Sequence, residues 1–145
     1  MSQKVLAVFM SVGAASGLVA GLILLNLDNN GLTYVEGASI SVTTDKNDYK
    51  RGEPIQVRVI NTGTMPLETS KQWNLRITGL SGMLMYDAGE RAYNVLSPGL
   101  DDTIVWNQTK NDGNVVLEGL YRISVEGTDA GGFTVQDWIT VSIWK

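Results

Sequence analysis

The chain has few residues with which to catalyse a reaction. Its 145 residues include no histidine and no cysteine, so the commonest general base and the thiolate nucleophile are both missing. A lysine-activated serine is not expected either, because the adjacent Ser70 and Lys71 would point to opposite faces of an extended segment. The sequence therefore predicts a protein that is not an enzyme and uses no cofactor.

Carboxylates are the remaining source of chemistry. Asp101 and Asp102 form an adjacent pair, and because they follow the turn residues 97–99 we expect them in a solvated loop. Two further runs could offer oxygen ligands to calcium, but neither has the spacing of an EF-hand, and turn formation explains both. These runs are Asp45, Asn47 and Asp48, and Asn111, Asp112 and Asn114. Since imidazole and thiolate are missing, no transition-metal site is expected.

Two other features bear on modification and binding. Asn107 begins the triplet Asn-Gln-Thr, an acceptor site for asparagine glycosylation that has meaning only in an exported domain. The four tryptophans could stack on sugar rings, but their positions in predicted strands favour core or edge packing. Trp144 differs because a terminal strand can add to a neighbour's sheet, and its ring could anchor that strand-edge contact.

An apolar segment near the start of the chain determines where the protein resides. Residues 5–25 carry no charge and, as a helix, would extend roughly 30 Å, the thickness of the hydrocarbon core of a bilayer. Gly13, Gly17 and Gly21 recur every four residues, so they share one helix face where a second helix could approach closely. The sequence predicts one transmembrane helix within residues 1–27, with this face as a packing interface. A lone anchor whose small residues face lipid is the alternative.

Two other fates of this segment remain open. The apolar region of a cleaved signal peptide is usually about 7 to 15 residues long, and a cut after Ser16 would leave an apolar new terminus. A pilin-like processing site needs a small residue soon after a basic one, whereas Lys4 is followed by Val5. A retained anchor fits better, with Lys4 on the cytoplasmic side and the rest of the chain outside.

The exported part is predicted to be one β domain. Residues 28–37 form a turn-rich linker without a sustained period, and from residue 38 onward apolar residues alternate with polar ones. The alternation is clear at 55–59, 121–125 and 133–144, and it predicts seven or eight short strands. Turn residues lie between these strands, at 48–52, 62–63, 81–82, 97–99, 111–114 and 130–132. We therefore expect an all-β, immunoglobulin-like antiparallel sandwich at 38–145.

Two segments carry a more specific resemblance. Residues 49–63 read Tyr-Lys-Arg-Gly-Glu-Pro-Ile-Gln-Val-Arg-Val-Ile-Asn-Thr-Gly, and residues 96–123 combine Leu-Ser-Pro-Gly, Trp-Asn-Gln, Asp-Gly-Asn-Val-Val and Gly-Leu-Tyr-Arg-Ile. Both resemble the β-sandwich named after the bacterial intracellular proteinase inhibitor, over residues 49–125. The resemblance implies the fold, with the ring of Tyr121 packed between the sheets. It identifies no inhibitory loop in this chain.

The layout is similar to that of another group of proteins. A short amino-terminal membrane helix followed directly by a sandwich resembles the stator proteins of the archaeal flagellum, which hold a filament machine at the cell surface. The acidic composition and the lack of cysteine are also similar. This resemblance implies a structural role outside the plasma membrane.

Taken together, these features predict a single-pass plasma-membrane protein with its amino terminus in the cytoplasm. Its expected partners are membrane lipid and other membrane or cell-surface proteins, reached through the helix and the sandwich. The net charge of −4 argues against nucleic acid. We expect a noncatalytic structural or interaction subunit of a cell-surface or membrane assembly. An accessory subunit of a membrane enzyme complex and a tethered proteinase inhibitor are the alternatives.

Overall fold

Alternation of apolar and polar residues builds most of the strands. The computed structural model describes residues 32–89 and 93–145. In β3, Ile55, Val57 and Val59 are buried while Gln56 between them is exposed, and the long strand β9 repeats the pattern. The strands are β1 (Ile40–Thr44), β2 (Asp48–Lys50), β3 (Ile55–Asn61), β4 (Leu67–Thr69), β5 (Arg76–Gly79), β6 (Leu84–Asp87), β7 (Asn94–Leu96), β8 (Asp101–Trp106), β9 (Gly119–Thr128) and β10 (Thr134–Trp144).

The strands form two sheets, which confirms the expectation of an all-β, sandwich-like fold. The smaller sheet has the order β1-β3-β8. In the larger sheet β10 lies between β2 and β9, while the other edge of β9 pairs with β5 and, at Thr128, with β4. β6 extends the sheet beyond β5, and β7 extends it beyond β4.

One strand pair corrects the expected antiparallel arrangement. β2 runs parallel to β10, with Tyr49 opposite Ile143. The reason is that β2 follows β1 after only three residues, so the chain crosses from the smaller sheet to the larger one without reversing its direction. The other pairings between the described strands are antiparallel.

The core lies between the two sheets and contains large aromatic rings. Trp106 of β8 is almost fully buried, and its ring centroid lies 6.2 Å from that of Tyr121 on β9. Tyr121 thus packs between the sheets, as expected. Trp73 is also buried, and it is held there by a short turn, Gln72–Asn74, in which all three residues have positive φ. Its indole nitrogen donates a hydrogen bond to Asp102 Oδ2 at 2.9 Å.

Two local predictions were wrong. Asp101 and Asp102 lie in β8 and not in a solvated loop, because β8 extends two residues further than its apolar positions indicate. Asp101 pairs with Arg58 of the neighbouring strand, while Asp102 bonds the buried indole. Residues 48–50, predicted as part of a turn, form β2, in which Tyr49 alone is buried. A three-residue strand is too short to produce a recognisable period.

The predicted helix at 1–27 and the first four residues of the predicted linker lie outside the described residues. Across 32–89 and 93–145, no helix is long and apolar enough to cross a bilayer. Residues 32–37 carry no regular secondary structure, but they pack on the sandwich, with Leu32, Thr33 and Val35 buried. The division of the chain at residues 27 and 37 remains a prediction.

Candidate interaction surface

The predicted site residues lie in separate parts of the molecule. Gly13, Gly17 and Gly21 lie outside the described residues, so the helix-packing face stays a prediction. Asn107 is exposed directly after β8, where a glycan could extend into solvent. Its modification is likewise still a prediction. The next residue, Gln108, is buried and has a structural role described below.

Trp144 lies at the end of β10, where its backbone is already paired. Its carbonyl oxygen accepts a hydrogen bond from Arg51 N at 2.7 Å, and the register places it opposite Lys50 of β2. A strand added from another protein would therefore have to displace β2. The indole ring is nevertheless 48% exposed, and Lys50 Nζ lies 5.7 Å from its centroid. What this position offers a partner is thus a side chain rather than a strand edge.

The candidate oxygen ligands take part in the hydrogen bonding of the fold, and Asp48 begins β2. Asp45 Oδ1 accepts hydrogen bonds from the Tyr49 hydroxyl at 2.5 Å and from Gln56 N at 3.2 Å. Burial, together with the hydrogen bond to Asp45, raises the pKa of Tyr49 to about 12. In the second run, Asp112 Oδ1 accepts a bond from Asn114 N at 2.9 Å. Nowhere in the described ranges do three or more acidic, histidine or cysteine side chains converge as a metal site would require.

One end of the sandwich exposes a group of large apolar side chains, which we call the apolar end. They come from the β5–β6 hairpin, from the start of β9 and from the end of β10. The exposed fractions of these side chains range from 42% to 71%, whereas most of the aliphatic side chains in the two sheets are buried. The apolar end consists of Leu80, Met83, Leu84, Leu117, Leu120 and Trp144.

Strand register brings these three segments together. Gly79 at the end of β5 pairs with Tyr121, so Leu80 follows on directly beside Leu120. On the other side of β9, Leu120 pairs with Ser142, two residues before Trp144. Leu84 pairs with Thr78 across the hairpin. Exposed apolar groups gathered in this way are typical of a surface that another molecule covers.

The outer face of the larger sheet continues the apolar end with two cation–aromatic pairs. The guanidinium carbon of Arg122, two residues along β9 from Leu120, lies 5.3 Å from the centroid of the Trp138 ring. The second pair is Lys50 with Trp144. A cleft of about 530 Å³ opens beside Trp144, between its ring and the turn after β2. Tryptophan and arginine are enriched in protein–protein contacts, so this face has the composition of a binding surface.

Gln108 holds the loops of this end in place. It has a positive φ of 62° and is fully buried. Its Nε2 donates to the carbonyl oxygens of Lys50 and Glu53, each at 2.8 Å, and its Oε1 accepts from Gly52 N at 2.9 Å. Its own carbonyl oxygen accepts from Val116 N at 2.8 Å. The side chain and main chain of this one residue thus tie the β2–β3 turn to the loop that leads to Leu117.

The opposite end of the sandwich, which we call the closed end, is formed by residues 32–39, 61–65 and 96–100. Asn61 is fully buried, and its Nδ2 donates to the carbonyl oxygens of Met65 and Leu96, each at 2.8 Å. Thr62 O accepts from Val35 N at 2.8 Å. Gly63 lies so close to Gly37 O and Ser39 N that a side chain there would overlap them.

No family model matches the chain, and no curated protein matches it. Among solved structures it is similar to PorZ, a surface component of the type-IX secretion system of Porphyromonas gingivalis, with 18% identity over 72% of this chain and a TM-score of 0.39. It is also similar to a β-glucosidase from Listeria innocua, with 12% identity over 78% of this chain and a TM-score of 0.34. The matches span only 11% and 16% of those longer chains.

Sequence reasoning missed most of this surface. The alternation at 121–125 places Arg122 and Ser124 outward, but the stacking of Arg122 on Trp138 depends on the register between β9 and β10. The usable signals were Leu120, an apolar residue out of phase with the buried positions 121, 123 and 125, and Leu117, an apolar residue that precedes the strand-starting Gly119. Their exposure marks them as surface residues with an unusual apolar character.

Proposed function

We propose that this chain is a noncatalytic interaction subunit of a membrane or cell-surface assembly. Residues 1–27 would anchor it in the plasma membrane with the amino terminus in the cytoplasm, and the extracytoplasmic sandwich would bind a protein partner through the apolar end. The observation that supports this best is a group of six exposed apolar side chains at the end of the sandwich opposite the segment through which the chain enters.

Strand lengths support this placement. The entering segment leads into β1 at Ile40, and Ile40 Cδ1 lies 3.4 Å from the position that a Cβ on Gly127 would take. Gly127 belongs to β9, and Leu120 lies seven residues from it at the other end of β9. The separation is about 23 Å at ~3.3 Å per residue. A helix attached at the closed end would therefore direct the apolar end away from the bilayer.

The finer features of the fold belong to the same proposal. We infer that the sandwich is immunoglobulin-like, since its two sheets of mostly antiparallel strands enclose one core of inward-facing residues, as in such domains. The resemblance to the proteinase-inhibitor sandwich fits this topology. The resemblance to stator proteins fits the proposed role, because a surface-exposed domain that performs no chemistry can still transmit force or position a neighbour.

Crosslinking of the full-length chain in its native membrane tests the proposal. A photoreactive residue at position 120 should yield a discrete adduct with another protein, whereas one at the exposed position Thr134, near the other end of the same sheet, should yield much less. Leu120→Asp should release the partner during purification in mild detergent, and Thr134→Asp should retain it. Equal retention by both variants would contradict the proposal.

The identity of the crosslinked protein separates the remaining alternatives. A filament or wall component would support the structural role, and a metal-binding or transport subunit would support an accessory role in an enzyme complex. A proteinase would support the tethered inhibitor. In each case the apolar end is the contact, so the identity decides the class of assembly and not the location of the surface.

A further inference from the structure

The outer face beside the apolar end carries a cation without an acidic partner. Arg122 lies in the central strand of the larger sheet, with Thr78 on one side and Thr140 on the other. Arg122 takes no part in the ion pairs that join Lys46 to Glu53 and Arg58 to Asp101. In a chain with more acidic than basic residues, this guanidinium remains available to a carboxylate from outside.

The stacking of Arg122 suits it for that role. Its guanidinium carbon lies 5.3 Å from the Trp138 ring centroid, so the side chain is held over the sheet surface and loses less freedom on binding. A guanidinium that lies against an aromatic ring keeps the N–H groups along its edge free for a bidentate contact with a carboxylate. A second cation, Lys50, is placed against Trp144 in a similar way.

The distance between the cation and the apolar side chains specifies the ligand further. Leu120 and Arg122 are two residues apart on the same face of β9, about 6.6 Å at ~3.3 Å per residue. We propose that the apolar end recognises an acidic protein surface, in which a carboxylate that contacts Arg122 lies next to apolar side chains that pack on Leu120 and its neighbours. This rests on the proposed function and assigns the chemistry of its partner.

A bilayer surface is the other possible occupant of an apolar and cationic face, but the structure favours protein. Glu118 is exposed between Leu117 and Leu120, within the apolar end itself. Insertion of these leucines into lipid would draw its carboxylate toward the hydrocarbon, where an unpaired charge is costly. In a protein interface the same carboxylate can lie at the polar rim.

Charge substitution at Arg122 tests the acidic partner. With the full-length chain in its native membrane, Arg122→Glu should lower the yield of the adduct formed at position 120 at least tenfold, because repulsion replaces a charge-assisted contact. Arg122→Lys should keep part of the yield, since it retains charge but not the bidentate geometry. Thr134→Glu, which adds a negative charge at the far end of the same sheet, is the control and should have a much smaller effect.

The outcomes separate this inference from the proposed function. If Leu120→Asp releases the partner and Arg122→Glu does not, the apolar end is still the binding surface, but the inference that its partner is acidic is overturned. If neither variant releases the partner, the proposed function fails as well. Crosslinking of position 120 to lipid, recognised by extraction of the adduct into organic solvent, would also overturn the inference. The inference is supported if the yield of the adduct falls as salt rises from about 0.05 M to about 0.5 M and the adduct is also lost in Arg122→Glu.

Discussion

The two ends of this sandwich differ in which side chains they bury, although the closed end also exposes Met65 and Leu100. At the closed end, polar groups are buried and bonded to one another, and the hydroxyls of Ser39 and Thr62 are 2.8 Å apart. At the apolar end, large hydrocarbon side chains such as Leu80 and Leu117 are exposed to solvent. Most buried polar groups at the closed end are bonded within the chain, with Thr33 Oγ1 as the exception, whereas the exposed side chains at the apolar end gain by contact with a second molecule.

The residues that stabilise the fold are therefore different from those that are available for binding. Residues that lock the closed end hold β1 to the fold and fix where the preceding chain enters. Side chains at the apolar end are 42% to 71% exposed, so changes there should alter binding more than folding. The comparison therefore makes opposite predictions for substitutions at the two ends.

The largest loss of stability is expected for Gly63→Ala at the closed end. The new Cβ would overlap the carbonyl oxygen of Gly37 and lie 2.7 Å from Ser39 N, so the entering segment would have to move away from the β3–β4 loop. We expect the free energy of unfolding to fall by about 3 kcal/mol or more, measured by denaturant titration.

Gly89→Ala is the matched control, because a Cβ there meets nothing within 4 Å. It should change stability by less than about 0.5 kcal/mol. Comparable losses in the two variants would show that the closed end is not locked in the way described. At a low temperature at which Gly63→Ala is still folded, this variant should retain the crosslinked partner. Such a result would show that the closed end acts on stability and the apolar end on binding.

The next largest effect is a dependence of stability on pH that arises at Asp137. This residue of β10 faces β1, and its Oδ2 accepts a hydrogen bond from Val42 N at 3.1 Å. Burial raises the pKa of its carboxyl group from 3.8 to about 6. The folded protein therefore holds a proton that the unfolded chain releases, and the contribution to stability is complete below about pH 4 and is lost as the pH rises to about 6.

At about 1.4 kcal/mol per pKa unit, this shift corresponds to about 3 kcal/mol between those pH values. Asp137→Asn should remove that slope, because the amide does not titrate, while its oxygen can still accept the bond from Val42 N. Denaturant titrations of both proteins between pH 4 and 7 measure the difference. Parallel pH profiles for the two proteins would show that Asp137 does not titrate in this range.

Much of the fold followed from the sequence, because burial on one face imposes a period of two. The strands around Val57, Ile123 and Val141 were predicted where they occur. Turns at 81–82 and 130–132 were also predicted correctly, and Gly82 and Gly132 adopt positive φ values of 91° and 88°. These features are local, so residue order is enough to specify them.

The features that escaped prediction depend on distant parts of the chain. Trp73 has a φ of 59° in a turn without glycine, and this conformation is held by burial of the ring and by the bond from its indole to Asp102. Gln108 also has no local signature, since its partners lie more than fifty residues earlier. The candidate surface escaped for the same reason, because the proximity of Leu80, Leu120 and Trp144 is set by register across three strands.

The smallest change in stability is expected at the apolar end itself. Leu80 and Leu117 are 66% and 71% exposed, so Leu80→Ser and Leu117→Ser remove little buried hydrocarbon and should each alter the free energy of unfolding by less than about 0.5 kcal/mol. Leu67→Ser is the internal contrast: its side chain is fully buried, and the loss should exceed about 3 kcal/mol. If the two exposed variants keep full stability but lose the crosslinked partner, the leucines are retained for binding. If they unfold the domain instead, the apolar end is part of the core and the separation between the two ends does not exist.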